Sequence, residues 1–324
     1  MGSVLDRLDR EARATATAAP APAHAGLMKA VLARQSFSDP EWIYERKLDG
    51  IRCLGIRDRG ETRMLSRNDL DLGGRYPEVR EALAAQDHDR FAVDGEIVAF
   101  EGSQTSFARL AQRGRRPVAV FFYVFDLLWI DGYDVRALDL RSRKRLLRTV
   151  LHFQDPLRLT SHRNRDGEAL FTEACRKGWE GVVAKRADSP YRATRSRDWL
   201  KVKCEAGQEL VIGGFTEPHG SRTDFGALLV GYFSDGRLQY AGKVGTGFDQ
   251  ATLDSLGERL RRLERTTSPF AEAETIRERG VHWVTPQLVA QLGFSEWTRA
   301  GRLRHPRFQG LRDDKPAADV VRER

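Results

Sequence analysis

YERKLDGIRCLG, residues 44–55, is the stretch on which the reading of this chain turns. Asp49-Gly50 stands between two apolar-alternating runs and predicts a tight turn, because Gly supplies the positive φ such turns need. Side chains along a strand alternate, so Glu45 and Lys47 share one face beside that turn. A lysine displayed at a strand tip is, by itself, ordinary solvated surface, and its surroundings in the sequence must decide whether it is more.

Working outward, short strand-like runs (WIYERKL, IRCLGIR, FAVDGEIVAF, VAVFFYVFDLLWI, EGVVAKR, WLKVK) alternate with helical stretches from Trp42 to about Lys203. This predicts a mixed α+β domain. In WLKVK, Lys201 and Lys203 share a strand face with Trp199, while Leu200 and Val202 point the other way into a core. Like charges two residues apart repel, and a phosphate between them is one arrangement that explains the pairing. VDGEIVAF and WEGVVAKR each open an apolar strand with one carboxylate, Glu96 and Glu180, suited to solvent or to a cation.

After Cys204 the texture changes to glycine-punctuated strands with one amphipathic helix, DQATLDSLGERLRRLERT, which predicts a small barrel with the OB-fold as leading candidate. The expected organisation is a disordered Ala/Pro-rich tail over 1–26, a first domain of largely antiparallel sheets over 27–205, an OB-fold domain over 206–315 and a tail over 316–324. With 324 residues, 40% of them apolar, the chain can fill two cores. Its net charge of +8 favours polyanionic partners such as nucleic acid. Cys53, Cys175 and Cys204 show neither a metal-ligand spacing nor a disulfide framework, which points to a reducing, cytoplasmic compartment. No apolar run approaches the ~18 residues of a membrane span, and no signal peptide is evident at the start.

Six stretches in fixed order then give a family likeness. KLDGIR (47–52), SRN (66–68), DGE (94–96), YVFDLL (123–128), EGVVAK (180–185) and WLKVK (199–203) resemble the motifs of the covalent nucleotidyltransferases, comprising DNA ligases, RNA ligases and mRNA-capping enzymes. GFTEPHGSR through LRDDK (214–222 and 311–315) resembles the OB domain of the ligase module of bacterial ligase D. That family joins its ligase to polymerase and phosphoesterase modules, for which 324 residues leave no room, so a free-standing ligase module is expected.

The resemblance implies an ATP-dependent DNA ligase in which Lys47 takes AMP from ATP, passes it to a DNA 5′-phosphate, and the 3′-hydroxyl then seals the break. It assigns Glu45 to the adenine edge, Phe125, in preference to Phe121 or Tyr123, to the purine face, and Glu96 and Arg52 to the ribose. Arg67 meets a phosphate of the nucleotide or of DNA. Arg195, chosen over Arg192 and Arg197 in a segment with Ala193-Thr194 where relatives have glycine, joins Lys201 and Lys203 at the α-phosphate. Glu96 and Glu180 would hold Mg2+ or Mn2+, and Arg67, Arg304, Arg307, Arg312 and Lys315 would contact DNA. Strict alternation from Glu180 puts Lys185 on the wrong strand face, so only the resemblance gives it a site role. Asp313 and Asp314 read as a charged tail. Arg52, Lys201, Lys203 and the cation are expected to lower the pKa of Lys47 towards the neutral amine that attack requires. The resemblance also implies nicked or broken duplex DNA as substrate, the Ku end-binding protein as partner, a monomer, and association with the nucleoid through DNA. Rival readings are an RNA ligase, a GTP-using capping-type enzyme, and a non-catalytic DNA-end scaffold.

Overall fold

The structure, a computed structural model, describes residues 4–114, 117–204, 206–218 and 224–323. The chain divides into two compact units, Met1–Cys204 and Glu205–Arg324.

The first unit is built on two sheets. One contains Ile51–Asp58, Glu61–Ser66, Arg90–Glu101 and Val120–Ile130, paired antiparallel in the order Glu61–Ser66, Ile51–Asp58, Arg90–Glu101, Val120–Ile130. Alternation gives this sheet two faces. Ile51, Cys53, Phe91, Val93, Ile97, Phe122 and Val124 pack into a core with Val79 and Leu83 of the Pro77–Ala84 helix and Leu146, Leu147 and Val150 of the Leu140–Val150 helix. The opposite face carries Leu54, Ile56, Ala92 and Phe125, which meet Tyr191 and Trp199. Trp199 belongs to the second sheet, ordered His162–Asn164, Trp42–Lys47, Gly181–Arg186, Arg195–Lys203, Lys29–Leu32.

The Asp49-Gly50 turn differs from its sequence expectation. The strands on either side, Trp42–Lys47 and Ile51–Asp58, do not pair; they lie in different sheets, and residues 48–50 carry the chain across. Asp49 anchors the crossing by accepting the Phe107 amide at 3.0 Å, and a Cβ at Gly50 would stand 2.1 Å from the Ile97 carbonyl. The dipeptide serves close backbone approach rather than a hairpin.

Within the described part of the expected disordered tail, residues 4–26, the chain is ordered in places. Arg10–Thr15 is helical, capped by Asp9, whose carboxylate accepts the Ala12 amide at 2.8 Å, and Leu5 and Leu8 are buried in the core against the sheet. Leu5 and Leu8, three residues apart before an N-cap Asp, were the overlooked signal in a stretch judged by its Ala/Pro composition. The cysteine expectation is also corrected: Cys175, on the Gly167–Arg176 helix, is disulfide-bonded to Cys204, with Cα atoms 5.2 Å apart, while Cys53 is free and buried. Sequence separation hides such a pair, because the packing of this helix on the sheet, rather than spacing, brings the two residues together.

In the second unit the long strand Ala206–Thr216 pairs antiparallel with Leu228–Ser234, Val281–Val284 and Val289–Phe294 along different parts of its length. Leu228–Ser234 continues to Arg237–Val244, and Val289–Phe294 pairs with Arg307–Leu311. One helix, Gln250–Arg262, capped by Asp249, buries Leu253, Leu256 and Leu260 against Leu210, Ile212, Val230 and Leu292. One strand shared among several partners, with an α-helix after the third strand of a meander, is the OB-fold arrangement. Residues 219–223 of the family-like stretch lie outside the described residues. The final segment is not a loose tail: Val320 is fully buried, its carbonyl accepts the Phe233 amide at 2.7 Å, and Glu323 donates its amide to Gln208 at 3.1 Å. No helix among the described residues is long and apolar enough to cross a membrane.

Candidate active site

Sheet register assembles the site. Across the second sheet Lys47 lies opposite Gly181 and Gly181 opposite Lys203; the next row is Glu45, Val183, Lys201; the next is Ile43, Lys185, Trp199. Residues two apart face the same way, so Glu45, Lys47, Lys185, Trp199, Lys201 and Lys203 share one surface. The centre of the first row is a glycine, and a Cβ there would stand 2.0 Å from the Val202 carbonyl. On the facing sheet Arg52 lies opposite Glu96, and the bulge after Asp94 turns Phe125 towards Trp199, ring centroids 6.1 Å apart.

Lys47 Nζ lies 2.5 Å from Glu180 Oε2, with side chains 19% and 25% exposed. Burial pushes the Lys47 amine down, but Glu180, then Glu96 and Asp49, outweigh it and leave the pKa raised. This corrects the expectation of a lowered value: the nearest charge is a carboxylate rather than Arg52, Lys201 or Lys203. The placement of Lys185 is corrected as well. Gly181 adopts φ +149°, which breaks the alternation counted from Glu180, so Glu180 reaches Lys47 while Lys185 still points into the site face.

Glu45 is 2% exposed, and its two oxygens meet Lys144 and Lys185, the latter at 2.7 Å. Lys185 Nζ also lies 4.1 Å over the Phe125 ring and 4.0 Å over Trp199. Burial and Lys144 pull the Lys185 amine down to about 8 against the opposing pull of Glu45. Arg52 grips Asp94 in a fork, Nε to Oδ1 at 2.5 Å and Nη2 to Oδ2 at 2.6 Å, and its guanidinium sits 4.7 Å over Phe125. Asp94, fully buried, also accepts from the Tyr191 hydroxyl at 2.6 Å, and that hydroxyl accepts the Met28 amide at 2.8 Å. Lys144, Asp94 and Tyr191 were not singled out from the sequence; Asp94 was legible, two residues before Glu96 and on its face.

Other candidates are placed as follows. Arg67 sits in a turn held by the buried Ser66 hydroxyl, which accepts the Asn68 and Leu70 amides. Arg195 is exposed and donates to the Ala30 carbonyl at 2.7 Å, while Arg192 pairs with Asp198. In the second unit Arg304 is exposed and pairs with Glu296 at 2.6 Å, and Arg307 is exposed. Arg312 forks onto Asp314 at 2.8 and 2.9 Å with both nearly buried, and Lys315 pairs with Glu209 at 3.3 Å. Asp314 is therefore a structural partner and not tail, and Arg312 and Lys315 are engaged within the fold.

A lysine paired with a carboxylate and sharing its sheet face with further lysines, an aromatic on the facing sheet, and a following OB unit are the arrangement expected of a covalent nucleotidyltransferase. The chain belongs to the ATP-dependent DNA ligases: residues 23–203 match the ATP dependent DNA ligase domain and residues 221–315 its C-terminal region. It is 42% identical over 293 residues to the multifunctional non-homologous end joining protein LigD of Pseudomonas aeruginosa, covering 88% of this chain and 35% of that one. It is 31% identical to a probable DNA ligase of Dictyoglomus thermophilum, covering 86% of this chain and 54% of that one. The chain thus spans about a third of the length of the end-joining relatives. Mycobacterial DNA ligase D complexed with ATP and MES has a similar structure, with TM-score 0.68 and 37% identity over 92% of this chain and 98% of that one.

Proposed function

We propose that this chain seals 3′-hydroxyl/5′-phosphate breaks in duplex DNA, with Lys47 as the nucleophile that carries AMP. The observation that carries the reading is the Lys47–Glu180 pair at 2.5 Å on the sheet face that, by register, also carries Lys201 and Lys203. The neutral Lys47 amine attacks the α-phosphorus of ATP, the N–P bond forms, the bond to the bridging oxygen breaks, pyrophosphate leaves, and the amine gives up its proton. The close pair with Glu180 opposes that deprotonation, so parting Lys47 from Glu180 is part of reaching the reactive amine.

Glu45 reads the adenine edge, Phe125 covers the purine face, and Glu96 and Arg52 meet the ribose. Lys201, Lys203 and Arg195 hold the α-phosphate, and Arg67 meets a phosphate of nucleotide or DNA. Two carboxylates, Glu96 and Glu180, fit Mg2+ or Mn2+, which take few protein ligands and complete their shell with water and phosphate oxygens. The cation, when bound, neutralises charge building on the phosphoryl oxygens. In the later steps the DNA 5′-phosphate displaces Lys47, and the 3′-hydroxyl attacks and releases AMP. Arg304 and Arg307, exposed on the OB unit, would contact backbone phosphates of the DNA.

The names of the end-joining relatives support a role in repair by non-homologous end joining; Ku as the partner that delivers ends is a further part of the proposal, suggested by the family likeness alone. The test is sealing of a nicked duplex with ATP, a divalent cation and the purified chain, alongside RNA-containing nicks and GTP. DNA sealing with ATP supports the reading; sealing confined to RNA-containing nicks, or use of GTP alone, overturns it. Blunt-end joining that Ku does not stimulate removes the end-joining role and leaves the ligase.

A further inference from the structure

Lys144 belongs to none of the six motif-like stretches. It sits on the Leu140–Val150 helix, whose N-terminus is capped by Asp139, accepting the Ser142 amide at 2.9 Å. It is 4% exposed, although a lysine almost never enters a core without a partner. Its ammonium has two partners, one from each sheet: the Glu45 carboxylate and the Phe125 carbonyl oxygen, the latter at 3.0 Å. Arg143, beside it, fixes the helix by forking onto Asp126 at 2.7 and 3.0 Å and donating to the Leu138 and Ser189 carbonyls.

No ladder links Glu45 to Phe125, since their strands lie in different sheets. We propose that Lys144 is a positioning residue of the purine site, tying the edge-reading carboxylate of Glu45 to the main chain of the face-covering Phe125 and thereby setting preference for the adenine base. This rests on the reading that Glu45 and Phe125 face the base.

Burial would raise the Glu45 carboxyl, but Lys144 and Lys185 outweigh it and hold it below its ordinary value. An ionised carboxylate only accepts hydrogen bonds, and each of its oxygens has a second lone pair free of its lysine. Such a group accepts from the exocyclic amino group of adenine and repels the carbonyl oxygen that guanine carries at the same ring position.

The experiment measures lysyl-AMP formation from α-labelled ATP and GTP by the full chain, its Lys144→Met and Glu45→Gln variants, and the double variant. Lys144→Met raises KM for ATP about tenfold, leaves kcat within about threefold and narrows the ATP-over-GTP preference. In the Glu45→Gln background the same change adds less than about twofold, because its effect passes through Glu45. Equal factors in both backgrounds, or a fall in kcat alone, would overturn the assignment. If Glu45→Gln by itself changes neither KM nor base preference, the base-facing reading fails instead. Lys144→Gln, which can still donate to the Phe125 carbonyl, guards against misfolding: it must shift KM in the same direction, and failure of both variants to fold would assign Lys144 to the core alone.

Discussion

Asp94→Asn replaces a fully buried carboxylate by an amide of nearly the same shape, so the change isolates charge and hydrogen-bond polarity from packing. The carboxylate accepts from Arg52 at 2.5 and 2.6 Å and from the Tyr191 hydroxyl at 2.6 Å. An amide keeps one acceptor and turns its other end into a donor facing either Arg52 or Tyr191. Removing one partner of a buried ion pair costs about 3–5 kcal/mol, and because Arg52 is 22% exposed the lower end, about 3 kcal/mol, applies. For a unit of this size each kcal/mol moves Tm by roughly 2–4 °C, so the N-terminal unit should melt about 6–12 °C lower. Differential scanning calorimetry of the full chain reads this directly. Arg52 also sits over Phe125 and donates to the Met28 carbonyl, so the loosened side chain should raise KM for ATP in lysyl-AMP formation. A Tm shift below about 2 °C with unchanged KM would refute the view that Asp94 holds Arg52 in place.

Reduction of Cys175–Cys204, which are 29 residues apart, should cost about 3.5 kcal/mol on the chain-entropy estimate and lower Tm in the wild type but not in Cys175→Ser; three reactive thiols in the denatured, unreduced protein would show the bond absent. His162 has its pKa lowered to about 4 by burial and by Lys144, so its ring should stay neutral at pH 5.5 in a histidine-labelled NMR titration. Between about 6.5 and 4 the unfolded state takes a proton that the native ring refuses, so this group's contribution to stability falls as pH drops through that window; a native titration near 6.5 would contradict its burial near the charge of Lys144. Arg312→Ala should destabilise the C-terminal unit by about 1.5–3 kcal/mol, since it removes the forked, charge-assisted hydrogen bonds to the nearly buried Asp314; an unchanged melt with weakened DNA binding would restore Arg312 as a DNA contact.

Much of this site was legible because strands report their faces by alternation. Lys47 and Glu45, and Lys201, Lys203 and Trp199, were grouped correctly from period two alone, and the order of six short stretches supplied the family. What was missed has physical reasons. Gly181 breaks the alternation, which misplaced Lys185. Asp49-Gly50 has the composition of a hairpin turn, yet whether flanking strands pair depends on partners far away in sequence. Lys144 and Arg143 look like the polar side of a helix, and only the structure shows them buried against Glu45 and Asp126. The Lys47 pKa was misjudged in sign because sequence spacing lists the cations around the site but not which charge lies nearest.

The central claim is tested most directly by incubating the chain with α-labelled ATP and a divalent cation, then mapping the labelled residue by peptide mass spectrometry. The account predicts one AMP per chain on Lys47, held by a phosphoramidate bond that survives alkali and is cleaved by acid, chased off by pyrophosphate or by nicked DNA, and absent from Lys47→Ala. Label on another residue, or label retained in Lys47→Ala, would contradict it.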